Sequence, residues 1–145
     1  MPEGSSVPEE LREVVRRIRE RYDTVAVILF GSRARGDHMP WSDYDILVIA
    51  DFGEGYLDRI GALIELLGDL RIAVEPHPYT LEEALLLLRK GNPTLVDAIS
   101  EGLVLHRDER FSLIEEAYED LVRRGMRRTD VSLIIPPEGI VPERS

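Results

Sequence analysis

From Glu9 to Tyr22 the apolar residues Leu11, Val14, Val15, Ile18 and Tyr22 recur at helical spacing, with charged residues between them. That pattern predicts an amphipathic helix, and Pro8 suits its first turn. Two later runs differ. Thr24–Phe30 and Tyr44–Ala50 are short, continuously apolar and rich in β-branched residues, which predicts buried strands. Tyr56–Leu70 returns to helical spacing through Leu57, Ile60, Leu63, Ile64 and Leu67. Arg71–Glu75 reads as a third strand stopped by Pro76 and Pro78. Thr80 and Glu83 form a capping-box pattern, opening a helix over Leu81–Arg89 that ends at Gly91. Another helix starts at Asn92 or Thr94 and runs through Glu101, with Gly102 closing it. Leu103–His106 reads as a short strand, Glu109–Arg124 as a long helix, and Val131–Ile135 as a last apolar strand. Residues 136–145 are rich in Pro and charge, which predicts a loosely ordered tail.

Strands alternating with helices indicate an α/β sandwich. No repeat or linker divides residues 1–145, so one domain is expected. The connection from Phe30 to Tyr44 is long for a strand-to-strand link, and long connections in compact domains are often functional.

Composition narrows the class. With 43% hydrophobic and 32% charged residues, a soluble globular chain is expected. No apolar run approaches the ~20 residues needed to cross a bilayer. The start of the chain lacks the basic-then-apolar pattern of a secretory signal, so the cytoplasm is the expected compartment. The absence of Cys excludes disulfides and thiolate metal sites. The net charge of −10 argues against sequence-independent nucleic-acid binding, which needs clustered cations. A local basic patch can still hold an anion such as ATP. Lys90 is the single lysine against seventeen arginines, Asn92 is the single Asn, and there is no Gln. Such depletion of labile amides is what thermophile proteins tend to show, although a GC-rich genome also favours Arg.

The chemistry is concentrated between Gly31 and Val48. Gly31 follows a strand and leaves room for a ligand beside the backbone. Ser32 can cap the short helix that follows and can offer its hydroxyl to a phosphate. The free N–H groups at that helix start favour an anion. Arg33 and Arg35 add guanidinium groups that match phosphate oxygens. Asp43 and Asp45, two positions apart in an extended segment, should face the same side. Two such carboxylates repel unless a cation lies between them, and Mg²⁺ takes oxygen ligands that it shares with phosphates. The whole reads as a place to hold a metal-bound nucleoside triphosphate.

Gly31-Ser32, a variable stretch, then Ser42-Asp43-Tyr44-Asp45 running into an apolar strand resembles the DNA polymerase β-type nucleotidyltransferase superfamily. The spelling Gly31-Ser32-Arg33-Ala34-Arg35-Gly36 is similar to its minimal nucleotidyltransferases. The resemblance implies a mixed central β-sheet flanked by helices, as in the polymerase β palm. It implies a third carboxylate on a later strand, for which Glu75 is the candidate, one methylene longer than the family's usual Asp. It implies two Mg²⁺ ions, with Mn²⁺ as an alternative, held by Asp43, Asp45 and Glu75. Gly31, Ser32, Arg33 and Arg35 would hold the nucleotide, ATP or another NTP. The expected reaction is transfer of a nucleotidyl group, such as AMP, to an acceptor hydroxyl. A HEPN-domain toxin is an implied partner, and its side-chain hydroxyl an implied acceptor. The alternative is a weakly active or inactive antitoxin that acts by contact.

Three further features are weaker. His77, between two prolines and near Glu75, is a candidate to line the same site. Trp41 reads as a packing anchor for the loop, with base stacking as the other option. The apolar segment 131–135 is a candidate edge for homo-oligomer pairing.

Overall fold

A computed structural model describes residues 8–128 and 133–134. The elements are α1 (Glu9–Arg21), β1 (Thr24–Phe30), α2 (Ser32–Arg35), β2 (Tyr44–Ala50), α3 (Tyr56–Leu67), β3 (Val74–Tyr79), α4 (Leu81–Arg89), α5 (Pro93–Glu101), β4 (Leu103–Arg107), α6 (Phe111–Arg123), β5 (Arg127–Arg128) and β6 (Leu133–Ile134). Four strands form one sheet in the order β3-β2-β1-β4. β2 pairs with β1 antiparallel and with β3 parallel, so the sheet is mixed, as the resemblance implied. Among the described residues no helix is long and apolar enough to cross a membrane.

Central strand β1 is buried along its whole length. Its side chains alternate between two apolar layers, which is why its sequence is continuously apolar. One layer joins Val27, Leu29, Ile46 and Val48 to Leu11, Val14 and Ile18 of α1 and to Leu63 and Leu67 of α3. The other joins Ala26, Ile28, Leu47 and Ile49 to Ala84, Leu88, Leu95, Ile114 and Leu121 from α4, α5 and α6.

β1 and β2 match their predicted spans, and α4 has its predicted capping box: Glu83 N–H donates to Thr80 Oγ1, and Thr80 N–H donates to Glu83 Oε1. Among the fully described elements, three differ from their predicted spans by more than one residue at an end. The helix predicted to reach Leu70 stops at Leu67, because Gly68 follows and Leu70 N–H turns back to Leu67 O. The last long helix starts at Phe111 rather than Glu109, since Asp108 Oδ1 accepts from Arg110 N–H and holds a turn there. The third strand is Val74–Tyr79, not Arg71–Glu75, and contains Pro76 and Pro78.

The prolines are tolerated because β3 is an edge strand. Two positions apart, they share one phase of the strand, and their nitrogens can both point off the sheet. They pair with Ile46 and Val48 and are buried on the α1–α3 face. Glu75, His77 and Tyr79 therefore occupy the opposite face.

The apolar segment near the C-terminus is described only at Leu133–Ile134, which pairs antiparallel with Arg127–Arg128 of the same chain. The rest of 131–135 and the predicted tail at 136–145 lie outside the described residues.

Arg59 ties the edge strand down. It is 6% exposed. Its guanidinium donates to both Glu83 carboxylate oxygens, to Glu54 O and to Pro78 O, and packs over Phe52. It thereby joins α3, β3 and the start of α4. Hydrogen bonding from Arg59 holds the Glu83 carboxyl below the ordinary carboxylate range. A depressed carboxyl contributes stability above its unfolded pKa of about 4.3 and loses it as pH falls through the folded value. Glu83→Ala removes both this ion pair and half of the capping box. It is expected to cost about 2–3 kcal/mol in urea unfolding at neutral pH and to flatten the acid loss of stability below about pH 4. A loss under about 0.5 kcal/mol would contradict this anchoring.

Candidate active site

The C-terminal end of β1 and the N-terminal halves of β2 and β3 meet at one edge of the domain. Register places Phe30 opposite Asp45 and Asp45 opposite Glu75, so three strands bring these residues abreast. Asp45, Glu75 and His77 share one face. His77 Nε2 lies 3.2 Å from Asp45 Oδ1 and 3.9 Å from Glu75 Oε2. One donor atom from each of the three lies within 4.8 Å of the others. Side-chain exposure is 19% for His77, 27% for Asp45 and 56% for Glu75, so the cluster opens to solvent on the Glu75 side. Phe30 packs edge-on against the His77 ring, with centroids 5.0 Å apart.

Gly31 sits where this cluster meets the turn. Its φ of 80° and ψ of −160° belong to a region that side chains rarely enter. A Cβ there would lie 2.5 Å from Asp45 Oδ2. The glycine thus lets the Asp45 carboxylate approach the backbone at the start of α2. It also occupies the N-cap position expected for Ser32, which instead begins the helix and makes no capping hydrogen bond. With four residues, α2 offers an anion local N–H groups rather than a sizeable macrodipole.

Electrostatically the cluster is strained by like charge. The Glu75 carboxyl is raised above the ordinary range, first by partial burial and then by the negative charge of Asp45; the charge on His77 opposes the shift. A divalent cation would offset both the burial and the repulsion. The donor set fits one: two carboxylates supply hard oxygen atoms, and all three donors lie close enough to share an ion.

The other expected residues divide. Asp43 precedes β2, so strand alternation does not extend to it. It is exposed, stands outside the three-donor group, and lines a ≈250 Å³ cavity with Ile72, Val74 and Pro76 on the α3 side. Its charge still reaches Glu75. The Arg33 guanidinium donates to Pro40 O and Ser42 O and lies 4.3 Å from the Tyr44 ring centre. It clamps the loop that leads into Asp43 and Asp45, a role not legible in its spacing. Arg35 pairs with Asp37 at 3.1 Å and with Glu101 at 3.8 Å. Trp41 is 77% exposed, so it does not anchor the loop by packing. Within the loop, Ser42 Oγ accepts from Met39 N–H.

Gly31→Ala is expected to destabilise the domain by about 1–3 kcal/mol through backbone strain and, by displacing Asp45, to weaken divalent-cation binding at least about tenfold. Urea unfolding and calorimetric titration measure the two effects. Wild-type values for both would contradict the contact.

Comparison with known proteins gives the family and the fold. The model for the nucleotidyltransferase domain family matches residues 11–122. A Methanocaldococcus jannaschii relative named "Putative protein adenylyltransferase MJ1305" is 27% identical over 120 residues, covering 79% of this chain and 82% of the relative. A toxin–antitoxin structure with AMP-PNP superposes with a TM-score of 0.50 at 17% identity, over 81% of this chain and 93% of that one. A mutant of the MntA-HpeT toxin–antitoxin pair gives 0.50 at 19% identity, over 79% and 90%. These two structures share the fold. The family match spans the sheet, the Gly31 turn and the carboxylate cluster, and the chain belongs to the nucleotidyltransferase domain family.

Proposed function

We propose that this enzyme transfers AMP from ATP to a hydroxyl on a partner protein, using divalent ions held at the Asp45–Glu75 edge. The observation that carries the reading is the meeting of Asp45 with both Gly31 and Glu75, which unites a phosphate turn and a metal-binding pair in one site. The M. jannaschii relative's name supports a protein acceptor, and the toxin–antitoxin structures support a toxin as the partner; the sequence resemblance adds that this toxin is of HEPN type.

Each residue has a task in that scheme. The backbone at Gly31 and the N–H and hydroxyl groups of Ser32 bind phosphate oxygens. Asp45 and Glu75 hold a divalent ion, Mg²⁺ or Mn²⁺, and Asp43 is assigned to a second ion that arrives with the triphosphate. Ions bound by these carboxylates would supply positive charge to offset the triphosphate in an in-line displacement. The acceptor oxygen bonds to the α-phosphorus, pyrophosphate leaves, and Glu75 takes the hydroxyl proton. Arg33 acts through the loop it clamps, and Arg35 contributes charge at the rim.

A second reading is favoured by one observation: Asp43 stands outside the donor group. The chain would then neutralise its partner by contact, with little transfer.

Incubation with labelled ATP, Mg²⁺ or Mn²⁺ and the product of the neighbouring gene, followed by mass spectrometry, tests the first reading. Adenylylated partner is expected. The Asp43→Asn/Asp45→Asn double variant should lose transfer by at least about 100-fold while its unfolding midpoint stays near that of the wild type. Undiminished transfer by the double variant rejects the assignment; loss of transfer with full neutralisation of the partner supports the contact reading.

A further inference from the structure

His77 places a nitrogen in a site otherwise built of oxygen. The register explains how: Pro76 and Pro78 belong to the strand, so His77 projects on the same face as Glu75 and Asp45. Ligands about 2.1 Å from a common ion sit about 3 Å apart when adjacent and about 4.2 Å apart when opposite. The 3.2 Å and 3.9 Å separations of Nε2 from Asp45 Oδ1 and Glu75 Oε2 fall within that range.

The ring is also held in place. Phe30 packs against it edge-on, and the prolines on either side fix their own φ angles and stiffen the strand. Among the described residues, the polar contacts of His77 are with Asp45 and Glu75. Its nitrogen therefore already points at the two carboxylates.

From this geometry we infer that His77 is a direct ligand of the divalent ion and biases the site from Mg²⁺ toward first-row transition-metal ions. The inference rests on the metal-dependent reading above. Mg²⁺ favours oxygen donors and dehydrates reluctantly, whereas imidazole is a donor suited to transition metals. Mn²⁺ is the weakest binder of that series, which makes it the strictest probe of the preference. A nearby His that only oriented Asp45 would leave the choice of ion unchanged.

The test uses the full chain without nucleotide. Mn²⁺ binding is followed by the free-ion electron paramagnetic resonance signal, and Mg²⁺ binding by competition. The wild type is expected to hold Mn²⁺ at least about tenfold more tightly than Mg²⁺. Its Mn²⁺ complex should show electron spin-echo modulation from a bound nitrogen. His77→Ala and His77→Gln should both lose about tenfold in Mn²⁺ affinity, change little toward Mg²⁺, and lack the nitrogen modulation. His77→Gln retains a polar group that can reach Asp45, and urea midpoints verify that each variant is folded. If His77→Gln keeps the wild-type ion preference, or the wild type lacks nitrogen modulation, the ligand role is overturned while the metal-dependent reading stands. If the wild type binds neither ion, both are overturned.

Discussion

The Asp45 carboxylate occupies the space that a side chain on residue 31 would need, with Oδ2 only 2.5 Å from the position of such a Cβ. This crowding governs the acidic edge of the domain. Glycine at the end of β1 leaves this space open and also adopts the positive φ of the turn, so a carboxylate stands beside the backbone where α2 begins. A carboxylate and a phosphate in that space repel each other unless a cation lies between them. Asp45 against Glu75 poses the same problem: the Glu75 carboxyl is raised first by burial and then by the charge of Asp45. A divalent ion would supply the counter-charge that both contacts call for.

The scaffold makes that crowding tolerable by rigidity. β1 and β2 are locked between two apolar layers, so Asp45 extends from a strand whose next five residues are buried. The weaker wall is β3, an edge strand with two prolines and hydrogen bonds to one neighbour only. Arg59 compensates by joining its Pro78 carbonyl to α3 and to the Glu83 cap of α4. On the other side, Arg33 fixes the long loop before β2 through the carbonyls of Pro40 and Ser42. Arg59 and Arg33 therefore brace the edge strand that carries Glu75 and the loop that leads into Asp45.

The pattern of apolar residues made the strands β1 and β2 and the helices around them readable, because burial on both faces leaves a continuous run. The Gly31-Ser32 and Asp43-x-Asp45 spelling pointed to the family without the structure. What was not legible was tertiary. Proline within Val74–Tyr79 looked like a strand terminator, and only the edge position of β3 explains it. That misreading hid the shared face of Glu75 and His77. Asp43 and Asp45 were read as a single pair on one strand, yet β2 begins at Tyr44, and Asp43 falls in the preceding loop. The loop clamp made by Arg33 was equally hidden, because its sequence position does not reveal the carbonyls seven and nine residues away to which it donates hydrogen bonds.

In the proposed scheme Asp45 joins a metal-binding edge and a phosphate turn in one nucleotide site. A crystal structure with Mn²⁺ and a non-hydrolysable ATP analogue, with the ion located by anomalous scattering, tests this. Mn²⁺ is expected on Asp45 and Glu75, with the triphosphate against the backbone of Gly31 and Ser32. An ion away from Asp45, or a triphosphate that does not touch the Gly31-Ser32 turn, would contradict it.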